Sequence, residues 1–391
     1  MRILLLVPSM AGAGGTERMV SSLGELLRLD GHVVHEASFD GPKVKRQFDN
    51  SSPLHHLGPI PRLPLPLRPL AYGVAVCRLR ALEKQLGINV TISNLWSADL
   101  INGLCRGGRR IALCHINVVG NPTNQLMLRL RPLVASIYRR MDKVVAVSAP
   151  LKDELKQLYH LPDAKVVAIS NFTKTAAVGV RKPGQAGFRQ FVWCGRFVTE
   201  KNLEGLVSVW SAFASRRDDV QLLLLGDGPL RDDIARQALA LGLRISSDIN
   251  DRSKQLIFAG FHRKPAKWVG GARAFLLSSR AEGLPMAILE ALALGTPVLA
   301  ADSSPGGVRF ALSDIPYVAE RKRAEVTDCG ALLPIPTAEE QETVNAWLPM
   351  LNAAADDDEQ WREWSAGAFR RAQLFSSAAA SAAWTALLEE L

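Results

Sequence analysis

The stretch AFLLSSRAEGLPMAILEALALGTPVLAAD, residues 274–302, reads as strand, loop, helix and strand. Two short apolar runs, 274–279 and 297–302, bracket it. Neither alternates with polar residues, so each suits a strand covered on both faces, as in a parallel sheet. Between them, Pro285 fits the first helical position and Gly295 the residue past the helix end. A strand–helix–strand unit of this kind predicts a doubly wound α/β sheet. The helix also raises a chemical question. It is almost wholly apolar yet carries Glu290, and a second acid, Glu282, waits eight residues upstream in the loop at its mouth.

Working outward, the same unit recurs. The first half has apolar runs at 2–9, 32–38, 89–93, 109–116, 143–148 and 165–170. The second half has them at 191–196, 221–228, 255–260, 274–279, 297–302 and 330–335. Two series of six predict two Rossmann-like domains, residues 1–172 and 188–375, joined by the linker TKTAAVGVRKPGQAG at 173–187. The Ala-rich tract SSAAASAAW predicts a last helix within 376–391, expected to pack back on the first domain.

Composition agrees with a globular chain. The 391 residues exceed one ordinary core, and 48% are hydrophobic against 22% charged. No apolar run reaches the length of a membrane span. The opening MRILLLVPSM reads as a first strand and not as an export signal, because its apolar core is short and a Gly-rich turn follows. Five cysteines without paired spacing predict core thiols in a reducing, cytoplasmic compartment, with neither disulfides nor zinc. The net charge of +9 is uneven: +10 in residues 1–171 and −1 in the rest. A basic first half points to an anionic partner or to a solvated basic surface.

Clefts in such sheets lie at the C-terminal ends of the strands, so the chemistry is sought there. After the first run comes AGAGGTE, with Gly12, Gly14 and Gly15 before a helix. Glu17 stands where a dinucleotide fingerprint needs its third glycine, and the acid it needs near the end of strand two, Glu36 or Asp40, is only weakly matched. What remains is a tight turn, or a turn where backbone approaches an anion or a sugar. His115 ends the run 109–116 beside Asn117, as a structural histidine or a cleft residue. GRFVTEKN (195–202) brings Arg196 and Lys201 to one rim, where two cations suit a diphosphate or are merely solvated. GDGPL (226–230) closes the next run with Gly226 and Asp227. Glu290 is costly in apolar company unless it is bonded. Sugar or ribose hydroxyls would satisfy it, and so would a core arginine. In that second case Glu282 is a surface acid.

Taken together, GAGGTER, GRFVTEKN, LLGDGPLR (224–231), FAGF (258–261), E-x7-E in EGLPMAILEALALGTPVLA and GALLP (330–334) resemble a bacterial glycosyltransferase of family GT4 over nearly the whole chain. The resemblance implies the GT-B fold: two Rossmann-like doubly wound parallel-sheet domains facing a deep cleft. It implies a nucleotide-sugar donor on the second domain, an acceptor on the first, retention of anomeric configuration, no cofactor and no metal. Arg196 and Lys201 match the cations on the diphosphate, Glu282 the acid at the transferred sugar and Glu290 the acid on the ribose. Gly15 matches the loop glycine by the phosphate and His115 the histidine near the sugar. The donor set implied further takes in Gly14, Gly226, Asp227, Phe261, Gly283, Leu284, Pro285 and Met286. Two features depart from the pattern: Phe310 replaces the usual acid, and 313–329 is longer than usual.

Two rival readings share the architecture, a nucleotide-sugar 2-epimerase and a non-catalytic sugar-nucleotide-binding protein. E-x7-E is not the epimerase mark, and the intact Glu282, Glu290, Arg196 and Lys201 weigh against a silent binder. Nothing beyond charge suggests nucleic acid, since no aromatics interleave the basic residues. The segments 61–84 and 124–141 mix Arg with exposed-looking Leu, Pro, Tyr and Met. They predict contact with an anionic membrane surface. The resemblance implies the inner face of the cytoplasmic membrane as the location, with a glycan, lipid-linked or lipopolysaccharide acceptor.

Overall fold

The computed structural model describes every residue except 13, 49, 62–67, 116–124, 175–187 and 318–321, and the side chains of 68, 125 and 126. Asn117, most of the expected linker, part of 61–84, Asn124 and part of the 313–329 segment therefore lie outside the described residues.

The chain forms two compact units. The first runs to Phe172 and takes in Ser377–Leu391; the second is built from Thr173–Ser376. The first unit holds strands β1 (Arg2–Val7), β2 (Val33–Ser38), β3 (Leu54–His56), β4 (Val90–Asn94), β5 (Arg109–Cys114), β6 (Lys143–Ala146) and β7 (Val166–Ala168). They order as β3-β2-β1-β4-β5-β6-β7, all parallel. Helices α1 (Gly15–Leu29), α2 (Arg68–Leu86), α3 (Trp96–Leu104), α4 (Gln125–Arg129), α5 (Arg131–Arg140) and α6 (Ala149–Tyr159) connect them. Residues 3–7 of β1 are buried without interruption, as a strand covered on both faces requires.

The second unit holds β8 (Arg189–Cys194), β9 (Val220–Leu225), β10 (Ile245–Ser246), β11 (Leu256–Gly260), β12 (Ala274–Leu277), β13 (Val298–Ala301), β14 (Glu325–Thr327) and β15 (Gly330–Leu333). Its order is β10-β11-β9-β8-β12-β13-β15-β14, parallel except for the antiparallel β14–β15 pair. Its helices are α7 (Leu203–Ala214), α8 (Arg231–Ala240), α9 (Ala266–Val269), α10 (Met286–Ala293), α11 (Gly307–Leu312), α12 (Gln341–Asn345), α13 (Leu348–Asp356) and α14 (Asp358–Ala372). Trp193, Trp210, Phe191 and Trp347 fill its core. The last helix, α15 (Ser377–Glu390), lies in the first unit, where Ser381 Oγ donates to Asp30 Oδ1 at 2.8 Å.

All twelve apolar runs are strands. The structure adds β3, β10 and β14, three short edge strands without an apolar run of their own. β14 is the strand of the long 313–329 segment. It is held by Arg309, which is buried and forks between Glu325 and Asp302. In both sheets the strand order reverses beside the first strand of the unit, at β1–β4 and β8–β12. Such switch points open a crevice beyond the strands' C-terminal ends.

Candidate active site

The loops after β8, β9, β11 and β12, four neighbouring strands, carry the second unit's candidates. The loop after β8 makes a 3-10 turn, Thr199–Lys201, before α7 begins at Leu203. Lys201 thus ends the turn, two residues before the helix. Asn202, at φ +50°, makes the corner. Its Nδ2 donates to Ser278 O at 3.2 Å and Pro336 O at 2.9 Å, and Arg280 Nη2 donates to its Oδ1 at 2.9 Å. Ser278 Oγ in turn donates to Lys201 O at 2.9 Å. This net ties the β8 loop to the end of β12 and fixes the Lys201 backbone.

The result is a direct contact. Lys201 Nζ donates to Glu282 Oε1 at 2.6 Å, with 27% and 11% of the two side chains exposed. Gly307 lets the Glu282 loop approach α11. A Cβ there would lie 1.9 Å from Gly283 O and 2.7 Å from Glu282 O. Gly283, Leu284 and Pro285 are buried behind the loop. Pro285 caps α10 instead of occupying its first turn, and Gly295, at φ +69°, follows its end. Met286, Ala287 and Glu290 are half-buried on one face of α10, while Ile288, Leu289, Ala291 and Leu292 are buried. Glu290 therefore lies on the least buried face of the helix, turned away from its apolar side.

Arg196 is exposed, and its side chain has no hydrogen bond or ion pair among the described residues. Its loop packs backbone to backbone on the next one. Gly226 N–H donates to Gly260 O, and a Cβ on Gly226 would lie 1.8 Å from Gly195 O. Asp227 accepts from Gly228 N–H at 2.8 Å and shapes its own turn. Phe261 is 45% exposed just beyond β11.

In the first unit, Gly14 caps α1 and Gly15 opens it. The Glu17 carboxylate folds back over this turn, so close that Cβ atoms on Gly12 or Gly14 would meet it at 2.2 and 2.7 Å. The helix thus supplies an acid at its own N-terminus. Glu36, the weak match considered near the end of strand two, is a core residue held by Arg46 and Asn50, and burial raises its pKa. Asp40 accepts from Met10 N–H at 2.7 Å. His115, at the end of β5, pairs through Nε2 with Asn94 Oδ1 at 2.9 Å. Withdrawal from water pushes its imidazole down to about 4, so it is neutral at pH 7. Behind it Cys114 reaches Tyr138, and Tyr138 OH and Ser93 Oγ both donate to buried Asp99.

Two family models span most of the chain. "Glycosyltransferase Family 4" matches residues 13–177, and "Glycosyl transferases group 1" matches residues 189–327. The chain belongs to the family 4 glycosyltransferases. It is similar to the amylovoran biosynthesis glycosyltransferase AmsD of Erwinia amylovora, at 23% identity over 83% of this chain and 87% of that one. It is also similar to a Campylobacter jejuni enzyme, N-acetylgalactosamine-N,N'-diacetylbacillosaminyl-diphospho-undecaprenol 4-alpha-N-acetylgalactosaminyltransferase. That match has 23% identity over 75% of this chain and 79% of that one. Among solved structures, Anabaena Alr3699/HepE in complex with UDP and glucose aligns over 100% of this chain and 99% of that one, with TM-score 0.74 and 18% identity. That likeness carries the GT-B fold.

Within this glycosyltransferase, the structure joins Lys201 to Glu282 and puts Arg196 and Asp227 on adjoining loops; His115, Gly14 and Gly15 belong to the other unit. Sequence reasoning assigned no role to Asn94, Asn202, Arg280 or Gly307. Asn202 and Arg280 stand inside quoted segments, and the only signals for Asn202 and Gly307 were a polar residue at a helix start and a paired glycine.

Proposed function

We propose that this glycosyltransferase moves a sugar from a UDP- or GDP-sugar to a saccharide acceptor in cell-envelope polysaccharide synthesis, with retention at the anomeric carbon. The observation that carries the reading is the 2.6 Å contact between Lys201 and Glu282 at the ends of β8 and β12. An ammonium has three donors; Glu282 takes one and two remain for phosphate oxygens. Glu282 keeps lone pairs for sugar hydroxyls, so one pair of residues spans the junction of sugar and diphosphate. In the reaction, the bond from the anomeric carbon to the diphosphate oxygen breaks and a bond to the acceptor oxygen forms. The acceptor's proton passes to the departing diphosphate. Lys201 and Arg196 stabilise the charge growing on that leaving group. Ion-paired to Lys201, Glu282 is a poor nucleophile, which favours attack by the acceptor itself. Glu290, on the half-buried face of α10, receives the ribose hydroxyls.

The relatives support the substrate class. The Anabaena structure holds UDP and glucose, and the names of the two relatives carry amylovoran biosynthesis and a diphospho-undecaprenol acceptor. The test is a panel of UDP- and GDP-sugars with released nucleotide as the readout, and proton NMR of the product for the anomeric outcome. One donor should stand out and give the donor's own anomer. No nucleotide release with any donor, or an inverted product, would overturn the reading.

The surface of the first unit supports a lipid-borne acceptor. Leu70 and Val74 on α2, and Leu130 and Leu133 beside Arg129 and Arg140 at α5, are exposed. Tyr138 and Met141, expected on this surface, are instead buried, Tyr138 as the partner of Asp99. Among the described residues no helix is long and apolar enough to cross a membrane. Interfacial binding of this kind gains about 1 kcal/mol per basic residue near anionic lipid. Sedimentation with phosphatidylglycerol vesicles, weakened by salt and by Leu70→Ser with Leu133→Ser, is the expected result. Equal pelleting with neutral vesicles, or none at low salt, would point to a soluble acceptor.

A further inference from the structure

The first sheet carries a second concavity, at the end opposite His115 and Asn94. A pocket of about 470 Å³ lies where β4 and β5 begin, between the C-terminal turns of α2 and the loop after α3. It spans the range of small-ligand sites. The strand β4 separates it from Asn94 by about 13 Å at 3.3 Å per residue, so it is not part of the sheet's other end.

Its lining is cationic. Arg80, Lys84, Arg106 and Arg110 face one carboxylate, Glu83. That carboxylate is already committed. Arg110 forks onto both its oxygens, with Nη2 donating to Oε2 at 2.9 Å, and Thr91 Oγ1 donates to Oε1 at 2.6 Å. Arg110 is 5% exposed and immobilised further by Asn102 Oδ1 and Gly107 O, yet its Nε has no hydrogen-bond partner among the described residues. Arg80, Lys84 and Arg106 are exposed, and none of their side chains makes a hydrogen bond or ion pair with a described residue. Three cations therefore line a pocket whose single carboxylate is already taken by the fixed guanidinium at its floor. The rim therefore offers positive charge and unused donors to an anion that enters it. Gly107, at φ +84° with open space beside it, leaves the rim clear. No aromatic side chain lines the pocket for a base to stack on, and the apolar lining, Ala81 and Ile88, is too small for an acyl chain.

We propose that this pocket binds a phosphate group, borne by a small soluble mono- or diphosphate or by a lipid headgroup, as a site separate from the donor site. Arg80 and Arg106 supply forked donors and Lys84 a point charge, above a floor made by the Arg110–Glu83 pair.

The donor site also takes a diphosphate, so the test silences it first. Calorimetric titration of the Arg196→Ala/Lys201→Ala protein with inorganic pyrophosphate is expected to give one saturable site, weakened by salt. Adding Arg80→Ser and Arg106→Ser should weaken it at least tenfold. Arg109→Ser, a neighbour paired to Asp142 outside the pocket, should leave it unchanged. In the otherwise wild-type protein, Arg80→Ser/Arg106→Ser should keep basal turnover, which also reports folding. Vesicles of phosphatidic acid in phosphatidylcholine form the second arm. Capture that requires Arg80 and Arg106 while pyrophosphate fails to bind assigns the phosphate to lipid. No saturable binding in either arm, or binding that Arg109→Ser weakens as much as the pocket variants, overturns the proposal.

Discussion

Lys201 and Glu282 are 81 residues apart in the chain and meet at 2.6 Å between Nζ and Oε1. The contact exists because β8 and β12 are neighbours in the sheet and Asn202 clamps their two loops together. If the pair acts as a unit on the diphosphate and sugar, its members are not independent. Lys201→Met and Glu282→Gln should each lower kcat about 10²–10³-fold. The double variant should be little worse than either single one, as measured by a double-mutant cycle on kcat/KM. Multiplicative losses would mean that the two side chains work on separate parts of the reaction.

Arg196 is exposed, and its side chain bonds to nothing among the described residues. Arg196→Ala should therefore leave Tm within about a degree, since such surface changes cost under ~0.5 kcal/mol. Turnover should still fall about 10²-fold through the lost charge on the leaving group. Full turnover in a folded variant would remove Arg196 from the site.

Glu290→Gln separates two roles. A ribose contact is similar in ground and transition states, so donor KM should rise more than kcat falls. A loss of Tm with unchanged donor KM would instead mark Glu290 as a structural acid of α10.

Gly307 is a geometric test of the Glu282 loop. A Cβ there lies 1.9 Å from Gly283 O, against backbone that cannot rotate away. Gly307→Ala should cost about 1–3 kcal/mol, the usual scale of overpacking. It should also depress kcat by moving Glu282 off Lys201. Thermal unfolding and turnover read the two effects together.

Buried Asp99 predicts a pH dependence in the first unit. Desolvation raises its pKa to about 8, although Ser93 and Tyr138 donate to it. The unfolded value is about 3.9. Between those values the folded state binds more protons, so this group's stabilising share is complete below about pH 4 and is lost as pH rises through 8. His115 acts in the opposite sense. Its pKa falls to about 4 when folded, so stability is lost as pH drops below about 6.5. Asp99→Asn should flatten the decline of Tm between pH 6 and 9, at roughly 2–4 °C per kcal/mol, and leave the acid limb intact. An unchanged alkaline slope would mean that Asp99 ionises freely in the fold.

Apolar runs without alternation determined twelve parallel strands and hence two doubly wound units, because burial on both faces leaves its mark in any few consecutive residues. Local chemistry likewise marked Arg196, Lys201, Glu282 and Glu290, which stand at strand ends and a helix mouth whatever the sheet order. The edge strands β3, β10 and β14 left no such mark, since a short edge strand has little apolar side to bury. Only the tertiary structure decided which strand ends are neighbours. It put β8 between β9 and β12, and so brought Lys201 to Glu282 and Gly195 to Gly226. It also buried Tyr138 against Asp99, set Asn94 against His115, and gathered Arg80, Lys84, Arg106 and Arg110 around one committed carboxylate. Those contacts depend on hydrogen bonding between segments tens of residues apart, and the periodicity of one segment carries no information about its partner across the sheet.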